Sequence, residues 1–259
     1  MDKNDVAKFV EVLDAAREPV RTADGYEAFL VPEGYNLETR SDGETIHQTV
    51  TMHDAESFCA YVKRFKSQHT QIFADVNAPV LRAIIDYHNP NGDAGLADHQ
   101  CIFAVAHSEE WKRWREIDGK VLSQAEFADF VEENYADIHE PEPAKFLEIV
   151  TNVQNRRKIS FSSGIRLSDG THQISFTEED DTKAKGYIAV PSEFTLALPI
   201  FNGGARYKVR ALLRYRIKDG RILFVVKLHR KVLEERAAFA DICEAVENST
   251  LIKPYMGRA

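Results

Sequence analysis

The residues best placed by type and spacing to do chemistry are Arg210, Arg214, Arg216, Lys218, Arg221 and Lys227. The chemistry they point to is anion binding. Guanidinium and ammonium groups attract and hydrogen-bond phosphate or carboxylate oxygens without any covalent step. The stretch Tyr207–Lys231 holds nine Lys and Arg residues against one acid, Asp219, a local charge of +8 in a chain of formal charge −8. The rest of the chain therefore carries −16. A positive patch on an otherwise acidic protein is where a polyanion or an acidic protein surface would dock.

The spacing of these cations follows from a β-hairpin. Asp219-Gly220 is a residue pair favoured in two-residue turns that require positive φ. Centring the turn there pairs Lys218 with Arg221, Ile217 with Ile222, and so outward. One face then carries Ala211, Leu213, Tyr215, Ile217, Ile222, Phe224, Val226 and Leu228. The other carries the six cations, with Leu212, Leu223, Val225 and His229 among them. Side chains alternate with period two, so a slip of one residue would bury Arg214 and Arg216 unpaired. A wet outer sheet face accounts for charge in general. A face of one sign is less easily explained, because like charges directly opposite repel. The compensating negative charge is expected from DNA or RNA, or from protein. Within the chain, Glu178-Glu179-Asp180-Asp181 is the obvious protein candidate, in cis or from another copy.

Metal chemistry has weaker support. Asp86 and His88 fall on one side of an expected strand, and Asp98 and His99 return across a loop, so Asp86, His88 and His99 are weak candidate ligands for zinc, manganese or iron. No closely spaced HxH, HExxH or CxxC accompanies them. There is no Walker A loop, GxGxxG or GxSxG elbow, so no cofactor is indicated. The acid pairs Glu132-Glu133 and Glu234-Glu235 read as solvated helix faces. Trp111 and Trp114, interleaved with Lys112, Arg113 and Arg115, fit either a core anchor or a stacking platform for single-stranded nucleic acid. No catalytic residue is assigned, and the residues favour a role without catalysis.

These groups must be held by an α+β framework. Apolar periodicity predicts helices over about Asp5–Arg17, over 54–67 with Asp54 as N-cap, over Ser108–Ile117, from Ser123 through Ile138 with a capping box to Glu126, over 144–155 and over Val232–Glu247. Strands are expected at Ile46–Met52, Gln71–Asp75, Val80–His88, Gln100–Ala106, Ile159–Leu167, Thr171–Thr177, Gly186–Val190 and Phe194–Phe201, with a second hairpin turn at Asp169-Gly170. Asp24–Gly43 is turn-rich. The reading divides the chain into a mixed α/β portion over 1–120, a helical connector over 121–156, and an antiparallel sheet with a closing helix over 157–259. The segregation of strands and helices argues against a doubly wound fold.

The chain has 259 residues, 44% apolar and 29% charged, which suits a globular protein with a substantial core. No apolar run approaches a membrane span, and the start of the chain leads into an amphipathic segment instead of a signal peptide. Cys59, Cys101 and Cys243 sit far apart at apolar positions, as expected for reduced, buried thiols of a cytoplasmic protein.

Several stretches carry a family resemblance: Phe58-Cys-Ala-Tyr-Val-Lys-Arg-Phe65, Thr70-Gln-Ile-Phe-Ala-Asp75, Ile85-Asp-Tyr-His88, Glu110-Trp-Lys-Arg-Trp114, Leu122-Ser-Gln-Ala-Glu-Phe-Ala-Asp-Phe130 and Leu212-Leu-Arg-Tyr-Arg216. From about residue 25 to its end the chain resembles the YfdQ family of phage and prophage proteins. The resemblance implies a phage-derived protein in the cytoplasm of a bacterial host, encoded among genes for DNA metabolism. It transfers no catalytic residue. The resulting expectation is an accessory protein that self-associates as a homo-oligomer and contacts nucleic acid or another polyanion through the basic hairpin. Three alternatives stand beside it. They are a shell-like protein assembling through complementary acidic and basic faces, a metal-dependent hydrolase or nuclease, and a phage inhibitor of host defence.

Overall fold

The computed structural model describes residues 20–21, 27–28 and 46–259, apart from 93, 156–158, 169, 179–184 and 220; at 20–21 and 27–28, and over the described parts of 152–166 and 176–188, only the backbone is described. The expected helix Asp5–Arg17, nearly all of the turn-rich stretch and the acidic run at 179–181 lie outside the described residues.

The chain divides into compact units of residues 1–46 and 47–259. The described part of the first is an antiparallel pair, β1 (Val20–Arg21) with β2 (Glu27–Ala28).

The second unit is α+β. It opens with β3 (Gln48–Met52), α1 (Ala55–Phe65), β4 (Gln71–Asp75), β5 (Val80–Ile84) and β6 (His99–Ala104). With the terminal β15 (Tyr255–Met256) these strands form a sheet ordered β15-β4-β5-β6-β3. The sheet is mixed: β3 pairs parallel with β6 and β15 parallel with β4, while β4, β5 and β6 run antiparallel. Helix α1 begins where it must, since the Asp54 side chain accepts from the Ser57 N–H at 2.7 Å, satisfying one of the amides that a helix start leaves unpaired.

Next come α2 (Glu109–Ile117), β7 (Val121–Ser123), α3 (Gln124–Asn134), a 3₁₀ turn (Tyr135–Asp137), β8 (Ile138–Glu140) and α4 (Pro143–Asn155). The capping box forms as read: Glu126 N–H donates to Ser123 Oγ, and Ser123 N–H donates back to Glu126 Oε2 at 2.7 Å. The helix nevertheless stops at Asn134, short of the expected Ile138. Residues 121–123 and 138–140, read as loop and helix, are edge strands. At three residues each, they are too short for alternation to register.

The last part holds the hairpin β9 (Ile159–Arg166)/β10 (Thr171–Glu178), then β11 (Lys185–Pro191), β12 (Glu193–Pro199), β13 (Arg206–Lys218), β14 (Arg221–Leu228) and α5 (Lys231–Thr250). One sheet is ordered β11-β10-β9 and the other β7-β14-β13-β12-β8, with every pairing antiparallel. The inner face of the five-stranded sheet is covered by helices: Trp114 of α2 meets Phe194, Phe127 of α3 lies 4.8 Å from Phe224, and Phe146 of α4 packs 5.0 Å from Phe194.

Buried residues of both five-stranded sheets belong to one apolar cluster, running from Phe58 and Ile72 through Trp111, Trp114 and Leu196 to Phe239 and Val246. Helix α5 ties the halves together by packing on α1 and on β13. At its end, Lys66 Nζ donates to the Thr250 carbonyl at 2.7 Å, placing a cation where helix carbonyls lack partners. The three cysteines are free and buried, and burial pushes the Cys101 thiol up to about 12 and that of Cys243 to about 11. Such thiols are inert core groups. Among the described residues no helix is long and apolar enough to cross a membrane.

Candidate polyanion-binding face

The hairpin adopts the expected register. Lys218 pairs with Arg221, Arg216 with Leu223, Arg214 with Val225, and Leu212 with Lys227. The His229 N–H extends the ladder to the Arg210 carbonyl at 2.8 Å. Asp219, at φ +50°, supplies the left-handed turn conformation. Burial follows the same parity except at Val225, which is buried although it lies on the cationic face. Ala211, Leu213, Ile222, Phe224, Val226 and Leu228 are buried, whereas Arg210, Arg214, Arg216, Lys218, Arg221 and Lys227 are all exposed.

The cationic face is longer than the hairpin suggested. Strand β13 continues back to Arg206, and this part pairs with β12, setting Arg210 beside Thr195, Lys208 beside Ala197 and Arg206 beside Pro199. Arg206 and Lys208 therefore share the face with Arg210, and both are exposed. The signal was available: counting back by two from Arg210 reaches both. A 13-residue strand makes this a stripe roughly 40 Å long at ~3.3 Å per residue.

Among the described residues, most charges on the stripe have no ion-pair partner. Arg210 Nε lies 3.3 Å from Glu193 Oε2, with both side chains about half exposed, so the pair contributes little to stability. Arg206 donates to the carbonyls of Ala197 and Ala136, which fixes its guanidinium at one end of the stripe. Lys208, Arg214, Arg216, Lys218, Arg221 and Lys227 make no ion pair among the described residues. A stripe of fixed spacing and one sign can hold a negatively charged chain by many contacts that are each weak.

The base of the hairpin is locked from behind. Asp118 Oδ1 accepts from the Leu228 N–H at 3.0 Å and Oδ2 from Lys231 Nζ at 2.5 Å. Burial works against the Asp118 carboxylate, but these two donors outweigh it, and its pKa lies below the ordinary aspartate value. Gly119, at φ +83°, donates to the Val226 carbonyl at 2.7 Å; a Cβ there would stand 2.6 Å from Lys227 Nζ. The positive φ favours glycine here, whereas the flexible Lys227 side chain could move aside for a Cβ.

The other candidates separate. Strand β5 ends at Ile84, not His88, so Asp86 lies in a turn. The reason is the Asp86 carboxylate itself, which accepts from the Asp98 N–H at 3.1 Å and the His99 N–H at 3.0 Å and so closes the loop. His88 Nδ1 accepts from the Gly95 N–H at 3.1 Å. His99 is buried with its Nε2 2.8 Å from Tyr61 Oη, and burial lowers its pKa. Each group is committed to a different bond, and among the described residues no three His, Cys, Asp or Glu side chains converge as metal ligands. Trp111 and Trp114 are fully buried, donating to Glu235 Oε1 at 2.8 Å and Asp137 Oδ2 at 2.9 Å. They anchor the core and offer no stacking surface.

Fold and face together define an α+β protein bearing a long cationic sheet stripe backed by helices. The chain belongs to the family of uncharacterized conserved proteins designated DUF2303, whose model matches residues 3–259. No curated protein and no solved structure matches it.

Proposed function

We propose that this chain is a non-enzymatic, phage-derived protein of the YfdQ type that binds nucleic acid through the outer face of β13 and β14. The observation that carries the reading is the row Lys208, Arg214, Arg216, Lys218, Arg221 and Lys227, exposed on one face with no ion pair among the described residues. Cations spread along a strand match a charged backbone that repeats along its own length. With both tryptophans in the core, recognition rests on phosphate contacts and not on base stacking, so it is insensitive to sequence. The test is gel-shift binding of short duplex and single-stranded oligonucleotides at low salt by the wild type and by Arg214→Ala/Arg216→Ala. The double variant is expected to fold normally and bind markedly more weakly. Equal binding by the two proteins would sink the proposal.

The rival occupant of the face is an acidic surface of another copy. It is favoured by Arg210, which already holds one carboxylate, that of Glu193. Light scattering distinguishes the two readings, because assembly through this face gives a defined oligomer, free of nucleic acid, that dissociates in the double variant.

A further inference from the structure

A second cationic site lies away from the sheet stripe, in a cleft of about 280 Å³. The turn after β4 contributes Val76, Asn77 and Pro79 to its wall, and α5 contributes Val232, Glu235 and Arg236; His107 and Arg115 complete it. Its centre is Glu235. One carboxylate oxygen, Oε1, takes the Trp111 indole N–H at 2.8 Å, an Arg115 guanidinium nitrogen at 3.1 Å and His107 Nε2 at 3.3 Å. A carboxylate only accepts, so Nε2 carries the imidazole proton. The His107 ring is held by stacking on Phe201, with centroids 5.1 Å apart. Burial lowers the His107 pKa, with Glu235 opposing that shift.

Among the described residues this arrangement leaves a charge without a counterpart. Two guanidiniums line the cleft against a single carboxylate, whose bonded oxygen is already shared by three groups. Arg236 makes no ion pair among the described residues. Arg115 spends one nitrogen on Glu235 and keeps the rest of its donor fork. Guanidinium pairs suit a group that offers several acceptor oxygens in a fixed geometry, and a phosphate does so with more charge than a carboxylate. We propose that this cleft binds the phosphate group of a small ligand between Arg115 and Arg236, with Glu235 holding Arg115 and His107 in place.

The probe is inorganic phosphate, titrated by calorimetry into the full chain at constant ionic strength, with acetate as the carboxylate control. Saturable phosphate binding is expected, at least tenfold weaker in Arg236→Ala, whose side chain is exposed and makes no bond that the fold requires. Arg115→Lys keeps one charge but loses the fork and is also expected to weaken binding. Glu235→Gln, which loses the carboxylate that holds Arg115 and His107, is expected to weaken binding, provided its melting temperature shows that it is folded. The stripe variant Arg214→Ala/Arg216→Ala is expected to bind phosphate like the wild type, which separates this site from the sheet face. No binding above the acetate level, or undiminished binding by both Arg236→Ala and Arg115→Lys, would overturn the assignment.

Discussion

Lys218 faces Arg221 directly across the hairpin turn, two cations on neighbouring strands, and neither makes an ion pair among the described residues. Directly opposed like charges destabilise a sheet, so the fold keeps this pair at a cost. Either Lys218→Glu or Arg221→Glu is expected to raise stability, by about 0.5 kcal/mol, while weakening nucleic-acid binding. Denaturant melts and oligonucleotide binding on the same preparations would show whether the two properties move in opposite directions.

The two faces of β13 should respond oppositely to truncation. Leu213 is buried and Arg214 beside it is exposed. Leu213→Ala is expected to cost about 3 kcal/mol, as a core cavity does. Arg214→Ala should stay within about 0.5 kcal/mol of wild type. Comparable losses from both would mean that the register is wrong.

Asp118 joins the start of α5 to the end of β14, so its removal should loosen both. Asp118→Asn is expected to cost about 2 kcal/mol, the scale of hydrogen bonds to a charged group. Because the folded pKa lies below the ordinary 3.8, the contribution is present above that value and is lost as pH falls through the folded pKa. Melts at neutral pH should separate the two proteins, and the difference should narrow as pH is taken progressively below 3.8.

Asp137 has the opposite sign. Burial raises its pKa despite the Trp114 N–H it accepts, so its contribution is present in full below 3.8 and is lost as pH rises through the folded value. At neutral pH the buried carboxylate is a burden. Asp137→Asn, which keeps an acceptor for the indole, is expected to be more stable than wild type at pH 7 and to lose that advantage near pH 4.

The parts of this molecule that were legible in the sequence are those governed by local chemistry. The Asp219-Gly220 turn and the alternation on either side of it determine the hairpin register. The Ser123–Glu126 capping box and the Asp54 cap place two helix starts where they were read. What escaped depends on distant partners. Strands β7 and β8 are three residues each and exist because β14 and β12 need neighbours. The parallel pairing of β15 with β4 joins residues some 180 positions apart. The extended reading of Val80–His88 failed because Asp86 turns its carboxylate onto the amides of Asp98 and His99, a bond that alternation alone does not reveal. Within the candidate face, the six hairpin cations were visible as a pattern. Arg206 and Lys208 were left out because the segment was bounded by its pairing with β14, whereas β13 continues against β12. The cleft at Glu235 was hidden altogether, since Glu234-Glu235 reads as a solvated helix face until Trp111, Arg115 and His107 are seen to meet there.

The central claim is that the sheet stripe holds a nucleic-acid backbone, and the dependence of affinity on salt tests it most directly. Fluorescence anisotropy of a labelled duplex oligonucleotide, repeated over a series of salt concentrations, gives the slope of log affinity against log salt. Each phosphate contact contributes about −0.9 to that slope. The stripe predicts a slope of about −4 or steeper for the wild type, reduced in magnitude by about 2 in Arg214→Ala/Arg216→Ala. A shallow slope in the wild type, or the same slope and affinity in the double variant, would contradict the account.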